Sequence, residues 1–303
     1  MTSAADAILP ESIRSAIAPT LPAADLSDVV VLGKGIATTA YRFKDPSGNW
    51  VARVSNDYPE PWTWRGGRGY EVPLLRHLTQ LGLPVPRESF EVPAADGRPA
   101  VIIEREVAGR PLTWLPVEHQ DHLARQLAHF LSELHSISLE TARGLGMRES
   151  WGTADLRAAF QRATSFLDRS TRRWIDDELT KLEHTDLPTA PVHADFRPDH
   201  WYCDVEFNLV GVIDYGDSTI GDPALDFARI PDDLGDGFLD LLLDHYTGPR
   251  TDEIRARVLL YKRLRLLSEV ADADQVHWWN RDEAIRQLTA AARTDASTPP
   301  TSH

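Results

Sequence analysis

Two short acidic segments, each beside a run of apolar residues, constrain this chain more than any other feature. The first segment is residues 193–200 (HADFRPDH), and the second is residues 212–217 (VIDYGD). The apolar run at 209–213 predicts a buried strand that ends at Asp214, where a charge is costly unless it faces a partner or a metal ion. We therefore expect Asp195 and Asp214, nineteen residues apart, to emerge from neighbouring strands into one cleft.

Two carboxylates in one cleft suit phosphoryl transfer from a nucleoside triphosphate. Asp195 is the candidate base that takes the proton of the attacking hydroxyl group, and Asp214 is the candidate ligand of Mg²⁺ on the nucleotide phosphates. His200 is a second candidate metal ligand, because a neutral imidazole can occupy one coordination position among waters and phosphates. We expect His193 to brace the loop as a packed residue, and Asp226 to anchor it by hydrogen bonds. An ordinary turn is the alternative for the first segment, since Asp and Pro-Asp are common in turns.

The pattern of apolar residues predicts an α+β, bilobal fold. The first part of the chain reads as strands around one helix at residues 71–81. The predicted strands are 29–32, 40–43, 50–54, 90–92 and 100–104. The later predicted helices are 121–135, 153–167, 171–182, 237–246, 252–270 and 282–293. We therefore expect a small antiparallel β-sheet lobe with one helix at residues 1–107, a larger mainly α-helical lobe at residues 108–303, and a cleft between them.

The predicted β-sheet lobe carries the candidates for nucleotide binding. Arg53 ends the third predicted strand and Glu71 begins the helix, so this pair can clamp phosphate groups; a surface ion pair is the alternative. The glycine-containing turn between the first two strands would let backbone amides approach phosphate. Residues 102–107 are either the linker whose backbone reads the purine or a plain exit from a strand. The predicted nucleotide-binding residues are Gly33, Gly35, Thr38, Arg53, Glu71, Glu104 and Glu106.

The net charge of −14 restricts the partners. It argues against nucleic acid, which needs a basic protein face, and it is compatible with a cationic small molecule. The alternative is that the acidity only keeps the protein soluble. Acids and tryptophans of the C-terminal part are candidate contacts for a cationic, sugar-like substrate, or else are solvated helix faces and core residues. These candidates are Asp232, Asp233, Asp236, Glu269, Trp278 and Trp279.

Several sequence features bear on location. No apolar run reaches the length of a membrane-spanning helix, and the N-terminus lacks the basic start and apolar core of a signal peptide. The single cysteine, Cys203, excludes an intrachain disulfide bond, which suits the cytoplasm. We expect a cytoplasmic protein without a membrane partner, as a monomer or weak dimer.

Taken together, these motifs resemble those of the aminoglycoside phosphotransferase family, which shares the protein-kinase-like fold. The resemblance extends over about residues 29–293 and is strongest over 193–228. The pattern is most similar to the 2″-aminoglycoside phosphotransferases, which also carry His where protein kinases carry Asn, the position of His200. The resemblance implies that Asp195 is the catalytic base and that His200 and Asp214 bind Mg²⁺. It also implies a phosphate clamp of Arg53 and Glu71, with Arg53 in the place of the usual Lys.

The resemblance implies a function as well. We expect transfer of the γ-phosphoryl group of ATP or GTP to a hydroxyl group of a small molecule, an aminoglycoside or related antibiotic, in resistance or self-protection. One alternative is a kinase of another antibiotic, such as a macrolide or a peptide, or of a small metabolite. A second alternative is a nucleotide-binding pseudokinase that acts as a regulator.

Overall fold

An antiparallel sheet of five strands forms the N-terminal lobe in the computed structural model. The structure describes residues 11–35, 38–56, 68–93, 100–149, 152–249, 253–276 and 279–297. The elements of this lobe are helix α1 (Glu11–Ile17), strands β1 (Asp25–Lys34), β2 (Thr38–Asp45) and β3 (Gly48–Ser55), helix α2 (Glu71–Gln80), and strands β4 (Ser89–Val92) and β5 (Val101–Arg105). The strand order is β1-β2-β3-β5-β4, so β3 and β5 lie next to each other in the interior of the sheet.

Side-chain alternation gives the two faces of this sheet different roles. Successive residues of a strand point to opposite faces. Trp50, Ala52 and Val54 therefore lie on one face of β3, where they form a core with Ile13 and Ile17 of α1. The opposite face carries Arg53 of β3, which contacts α2. Alternation in the central strands thus places a charged side chain between the sheet and α2.

The C-terminal lobe is mainly helical. Its elements in chain order are strand β6 (Arg110–Pro111), helices α3 (Val117–His135), α4 (Leu139–Gly144), α5 (Thr153–Ala163) and α6 (Arg169–Glu183), strands β7 (Ala190–Val192), β8 (Trp201–Cys203), β9 (Leu209–Val212) and β10 (Thr219–Gly221), and helices α7 (Ile230–Asp233), α8 (Asp236–His245), α9 (Ile254–Leu264), α10 (Leu266–Asp272) and α11 (Arg281–Ser297). Helix α3 buries Leu123, Leu127 and Leu134 at helical spacing. The two small sheets, β7 with β10 and β6-β8-β9, carry the acidic segments.

The predicted α+β fold class is confirmed, with several local differences. Helix α1 was not predicted, so the N-terminal lobe has two helices in its described part; at seven residues, α1 is too short to show helical periodicity. The helix predicted at 252–270 is divided into α9 and α10 at Arg265. The segment 102–105 belongs to β5, so only residues 106 and 107 of the predicted linker lie beyond the strand. Within the described ranges, no helix is long and apolar enough to cross a membrane.

Candidate active site

The two acidic segments lie in loops at the ends of the small sheets. Asp195 follows β7, and Asp214 follows β9 after one residue. The backbone is left-handed at Ala194 (φ 66°) and at Asp214 (φ 67°), a conformation that costs energy for residues other than glycine. Such conformations persist only where surrounding contacts fix them.

Asp226 fixes the loop that carries Asp195. Its Oδ2 accepts hydrogen bonds from the backbone N–H of His193 (2.8 Å) and from His135 Nε2 (2.9 Å). Its Oδ1 accepts one from the backbone N–H of Ala194 at 2.6 Å. Asp226 is completely buried. The predicted anchoring role of Asp226 is confirmed, and these bonds hold the left-handed residue in place.

His193 joins the two acidic segments. Its Nε2 donates to the backbone oxygen of Ile213 at 3.0 Å, and its Nδ1 faces the backbone N–H of Asp195 at 3.4 Å. Burial lowers the pKa of His193, which keeps the ring neutral. The prediction of a packed, bracing residue is confirmed, since both ring nitrogens are engaged with backbone.

His200 and Asp214 face each other. The Nδ1 of His200 donates to the backbone oxygen of Asp195 at 2.9 Å. In the neutral ring this leaves the lone pair on Nε2, which lies 3.6 Å from Asp214 Oδ2. Desolvation is the largest influence on the pKa of Asp214 and raises it, but Arg53, the two histidines and a backbone hydrogen bond from Gly216 together outweigh it, so the net pKa lies below the ordinary value. An imidazole lone pair and an ionised carboxylate in contact are a donor set that fits Mg²⁺.

This donor set is small. In the described part of the chain, no group of three or more His, Cys, Asp or Glu side chains has the arrangement of a metal site. A cation held by His200 and Asp214 would therefore take its remaining ligands from phosphate oxygens and water, which is the usual way that Mg²⁺ binds with nucleotides.

Arg53 connects the N-terminal lobe to Asp214. Its guanidinium forms a buried ion pair with Glu71, and its NH1 lies 3.6 Å from Asp214 Oδ1. Burial disfavours the charge of Arg53, but the carboxylates of Glu71, Glu104 and Asp214 raise its pKa above the ordinary value. Within the described residues, Nε and NH1 of this buried group have no hydrogen-bond partner. Arg53 thus has donors available for a phosphate oxygen.

Two residues that sequence reasoning missed contact this centre. Tyr70, just before α2, donates its hydroxyl proton toward the backbone oxygen of Gly216 at 2.6 Å, which ties α2 to the second acidic segment. Arg229, just before α7, places Nε 3.2 Å from Asp195 Oδ1. Neither contact has a signal in the sequence, because each joins positions far apart in the chain.

The other predicted nucleotide-binding residues lie at the edge of this centre. Gly33 and Thr38 belong to β1 and β2, and the N–H of Gly35 donates to the Thr38 backbone oxygen at 2.8 Å. Residues 36 and 37 of this turn lie outside the described residues. Glu104 is buried within β5, paired with β3 and β4 on either side, so its backbone is not free to read a purine. Glu106 lies beyond β5 and forms an ion pair with Arg42 at 3.6 Å.

Two of the four predicted substrate acids are paired with basic residues of the protein itself. Asp232 contacts Lys262 (2.8 Å) and Arg265 (2.6 Å). Glu269 contacts Arg265 at 3.4 Å. Asp233, the last residue of α7, and Asp236, the first residue of α8, are exposed.

The structure describes one of the two predicted substrate tryptophans. The backbone N–H of Trp279 donates to the backbone oxygen of Val276 at 2.8 Å, and the Trp279 side chain is half-buried. Trp278 lies outside the described residues.

The chain belongs to the phosphotransferase enzyme family, whose model matches residues 28–261. Three solved structures are similar to it over nearly their whole length. The GDP complex of aminoglycoside 2'-phosphotransferase-IIIa has a TM-score of 0.74 and 22% identity, covering 93% of this chain and 98% of that chain. The streptomycin–ATP complex of APH(2″)-IIa has a TM-score of 0.69 and 19% identity, covering 94% and 96%. The macrolide 2'-phosphotransferase MphH of Brachybacterium faecium has a TM-score of 0.67 and 18% identity, covering 95% and 98%.

These comparisons confirm the predicted family and its protein-kinase-like fold. Identities this low establish the fold alone, so the acceptor and the nucleotide must be argued from the site of this chain.

Proposed function

We propose that this protein transfers the γ-phosphoryl group of ATP or GTP to a hydroxyl group of a small molecule, with antibiotics of the aminoglycoside and macrolide classes as the first acceptors to test. One observation carries the proposal. A continuous series of contacts between polar side chains runs from Glu71 through Arg53 and Asp214 to His200 and Asp195. This series joins the β-sheet lobe to both acidic segments, as phosphoryl transfer between two bound substrates requires.

Asp195 is the proposed catalytic base. Its side chain is partly exposed and its loop is fixed by Asp226, so it can orient an acceptor hydroxyl group and take its proton. Because the transition state of phosphoryl transfer is loose, this base needs correct position more than an unusual pKa.

His200 and Asp214 are the proposed holders of Mg²⁺, and Arg53 is the proposed phosphate clamp. Mg²⁺, when bound, supplies neutralisation of the charge on the nucleotide phosphates. Arg53 is held by Glu71 on one edge and keeps donors available on the other, so it can bind a phosphate oxygen with a charge-assisted hydrogen bond. The lysine usual in kinases would present a single ammonium group here, whereas the guanidinium presents two edges.

A mass assay for the addition of one phosphate tests the proposal. The purified protein is incubated with Mg²⁺, ATP or GTP, and a panel of aminoglycosides, macrolides, peptide antibiotics and hydroxylated metabolites. We expect one acceptor class to gain a phosphate. The Asp195→Asn variant should transfer phosphate at least about 100-fold more slowly than the wild-type protein, while still binding nucleotide. Asp186→Asn, which changes an exposed carboxylate outside the site, is the matched control.

Turnover by Asp195→Asn at the wild-type rate would contradict the assignment of the base. Nucleotide binding without transfer to any acceptor or to water would instead support a regulatory, pseudokinase function. The same panel separates antibiotics from metabolites as acceptors.

A further inference from the structure

Two arginines flank the proposed catalytic base. Arg229 contacts Asp195 through Nε at 3.2 Å, and Arg197, two residues after Asp195, pairs with Asp199 through NH2. In the described part of the chain, no hydrogen bond joins the two terminal nitrogens of Arg229 to another residue, and the same holds for Nε and NH1 of Arg197. Both side chains are about one-third exposed, at 35% and 31%. Donor groups of two guanidinium ions are therefore open to a ligand beside Asp195.

These guanidinium groups also lie close enough to repel each other. Desolvation lowers the pKa of Arg229, and the positive charges of Arg265 and Arg197 lower it further. Like charges held together in a partly desolvated place attract an anion, because the anion relieves their repulsion.

The neighbouring carboxylates do not occupy the open donor groups of Arg229 and Arg197. Asp232 is engaged by Lys262 and Arg265, and Asp199 holds one edge of Arg197. Asp233 is near both open arginines, but among the described residues no ion pair joins it to either. Burial raises the pKa of Asp233, although Arg229 and Arg197 oppose that rise.

We propose that the acceptor carries a compact oxyanion, a carboxylate or a phosphate, near the hydroxyl group that is phosphorylated, and that Arg229 and Arg197 bind this oxyanion. This inference rests on the proposed function, since it describes the acceptor of that reaction. A guanidinium group binds such oxyanions with two parallel hydrogen bonds. Because Arg229 also contacts Asp195, the oxyanion and the hydroxyl group would be held at neighbouring points.

The inference departs from the cationic acceptor predicted from the net charge, and among the acceptors of the panel it favours anionic hydroxylated metabolites over aminoglycosides and macrolides. Net charge describes the whole surface, whereas recognition depends on the charges that remain unpaired at the site. Two of the four acids that were candidates for contact with a cation, Asp232 and Glu269, face arginine and lysine instead.

A matched series of six-carbon polyols tests the inference by binding. D-gluconate carries a carboxylate, sorbitol 6-phosphate a phosphate, glucamine an ammonium group, and sorbitol no charge. Binding to the full chain is measured by calorimetry with Mg²⁺ and saturating ADP or GDP, so that nucleotide occupies the phosphate site. We expect gluconate or sorbitol 6-phosphate to bind about 10-fold or more tightly than sorbitol and glucamine, because each gains a charge-assisted hydrogen bond. The stronger of the two anions identifies the oxyanion.

Variants then assign the site. Arg229→Gln and Arg197→Gln should each weaken binding of the anion about 10- to 100-fold. Arg229→Lys, which keeps the charge but loses the paired geometry, should weaken it less. Arg255→Gln is the control, because Arg255 forms an exposed ion pair with Asp240 and lies in α9, outside this cluster. Circular dichroism spectra and thermal unfolding confirm that each variant is folded.

Several results would overturn the inference: tighter binding of glucamine than of the anions, equal binding across the series, no binding by any member, or anion binding that survives both arginine changes. Failure of the proposed function is distinguishable, because Asp195→Asn should slow transfer about 100-fold or more and keep anion binding. A wild-type protein that binds gluconate through Arg229 and transfers no phosphate would refute the function and leave the oxyanion site.

Discussion

A buried glutamate beneath the proposed phosphate clamp makes a quantitative prediction about stability. Glu104 is 5% exposed, and its Oε2 has no hydrogen-bond partner in the described part of the chain. Burial raises the pKa of Glu104 to about 7; Arg53 opposes this rise, whereas Glu71 and Asp214 add to it. Three carboxylates thus share one guanidinium, and burial favours the neutral form of Glu104.

The change Glu104→Gln removes this titration while keeping the size of the side chain. The ordinary pKa of the group is 4.5, so the folded protein holds the proton over a pH range in which the unfolded chain releases it. The stability that Glu104 contributes is therefore fully present below about pH 4.5 and is lost as the pH rises through about 7. One pKa unit corresponds to about 1.4 kcal/mol, so the wild-type protein should lose about 3 kcal/mol relative to Glu104→Gln across this range.

Urea unfolding of both proteins at about pH 5 and about pH 8 measures this difference. We expect the free energies of unfolding to be closest at the lower pH and the glutamine variant to be the more stable at the higher pH. Glu106→Gln is the control, because Glu106 is partly exposed in an ion pair with Arg42. A stability difference that does not change with pH, or a glutamine variant that is less stable at about pH 8, would refute the reasoning.

Three further substitutions test contacts that hold the site. Asp226→Asn should lower the free energy of unfolding by about 2–4 kcal/mol in urea titrations, because it leaves a buried backbone N–H without its acceptor; a loss below about 1 kcal/mol would contradict the anchoring role. Tyr70→Phe should cost about 1 kcal/mol by the same measurement, for the lost hydrogen bond to the Gly216 oxygen, and an unchanged midpoint would contradict it. Gly109→Ala should cost about 1–3 kcal/mol or more, because φ is +91° and the new Cβ would lie 2.5 Å from the Cys203 oxygen; wild-type thermal stability would show that this close approach is absent.

The parts of the site that could be predicted are those encoded over short distances. Asp214 stands at the end of an apolar run, and Asp195 stands in a turn beside another, so each carries its local signal in its neighbours. Arg53 and Glu71 follow from a strand end and a helix start, and the structure brings them into contact. Local chemistry thus predicted which side chains meet at the centre, although their roles in catalysis stay predictions.

The parts that could not be predicted depend on packing between distant segments. Tyr70 contacts Gly216 across 146 positions of the chain, and no spacing rule reaches that far. Glu104 was placed near the nucleotide by its position after a strand, whereas pairing with β3 and β4 on both sides buries it under Arg53. Strand pairing decides this outcome, and the register of strands comes from the whole sheet.

The charge of the site shows most clearly that contacts between distant segments cannot be predicted from the sequence. An excess of acids over bases in the sequence predicts attraction of cations only if the acids remain unpaired at the binding surface. Here Asp232 and Glu269 are held by Lys262 and Arg265, whereas Arg229 contacts the proposed base and keeps two nitrogens open. Paired charges contribute little to the binding free energy of an incoming ligand, and unpaired charges contribute most. We therefore expect the arginines with open nitrogens to determine which acceptor is preferred. An acidic protein can in this way present open guanidinium donors at its acceptor site.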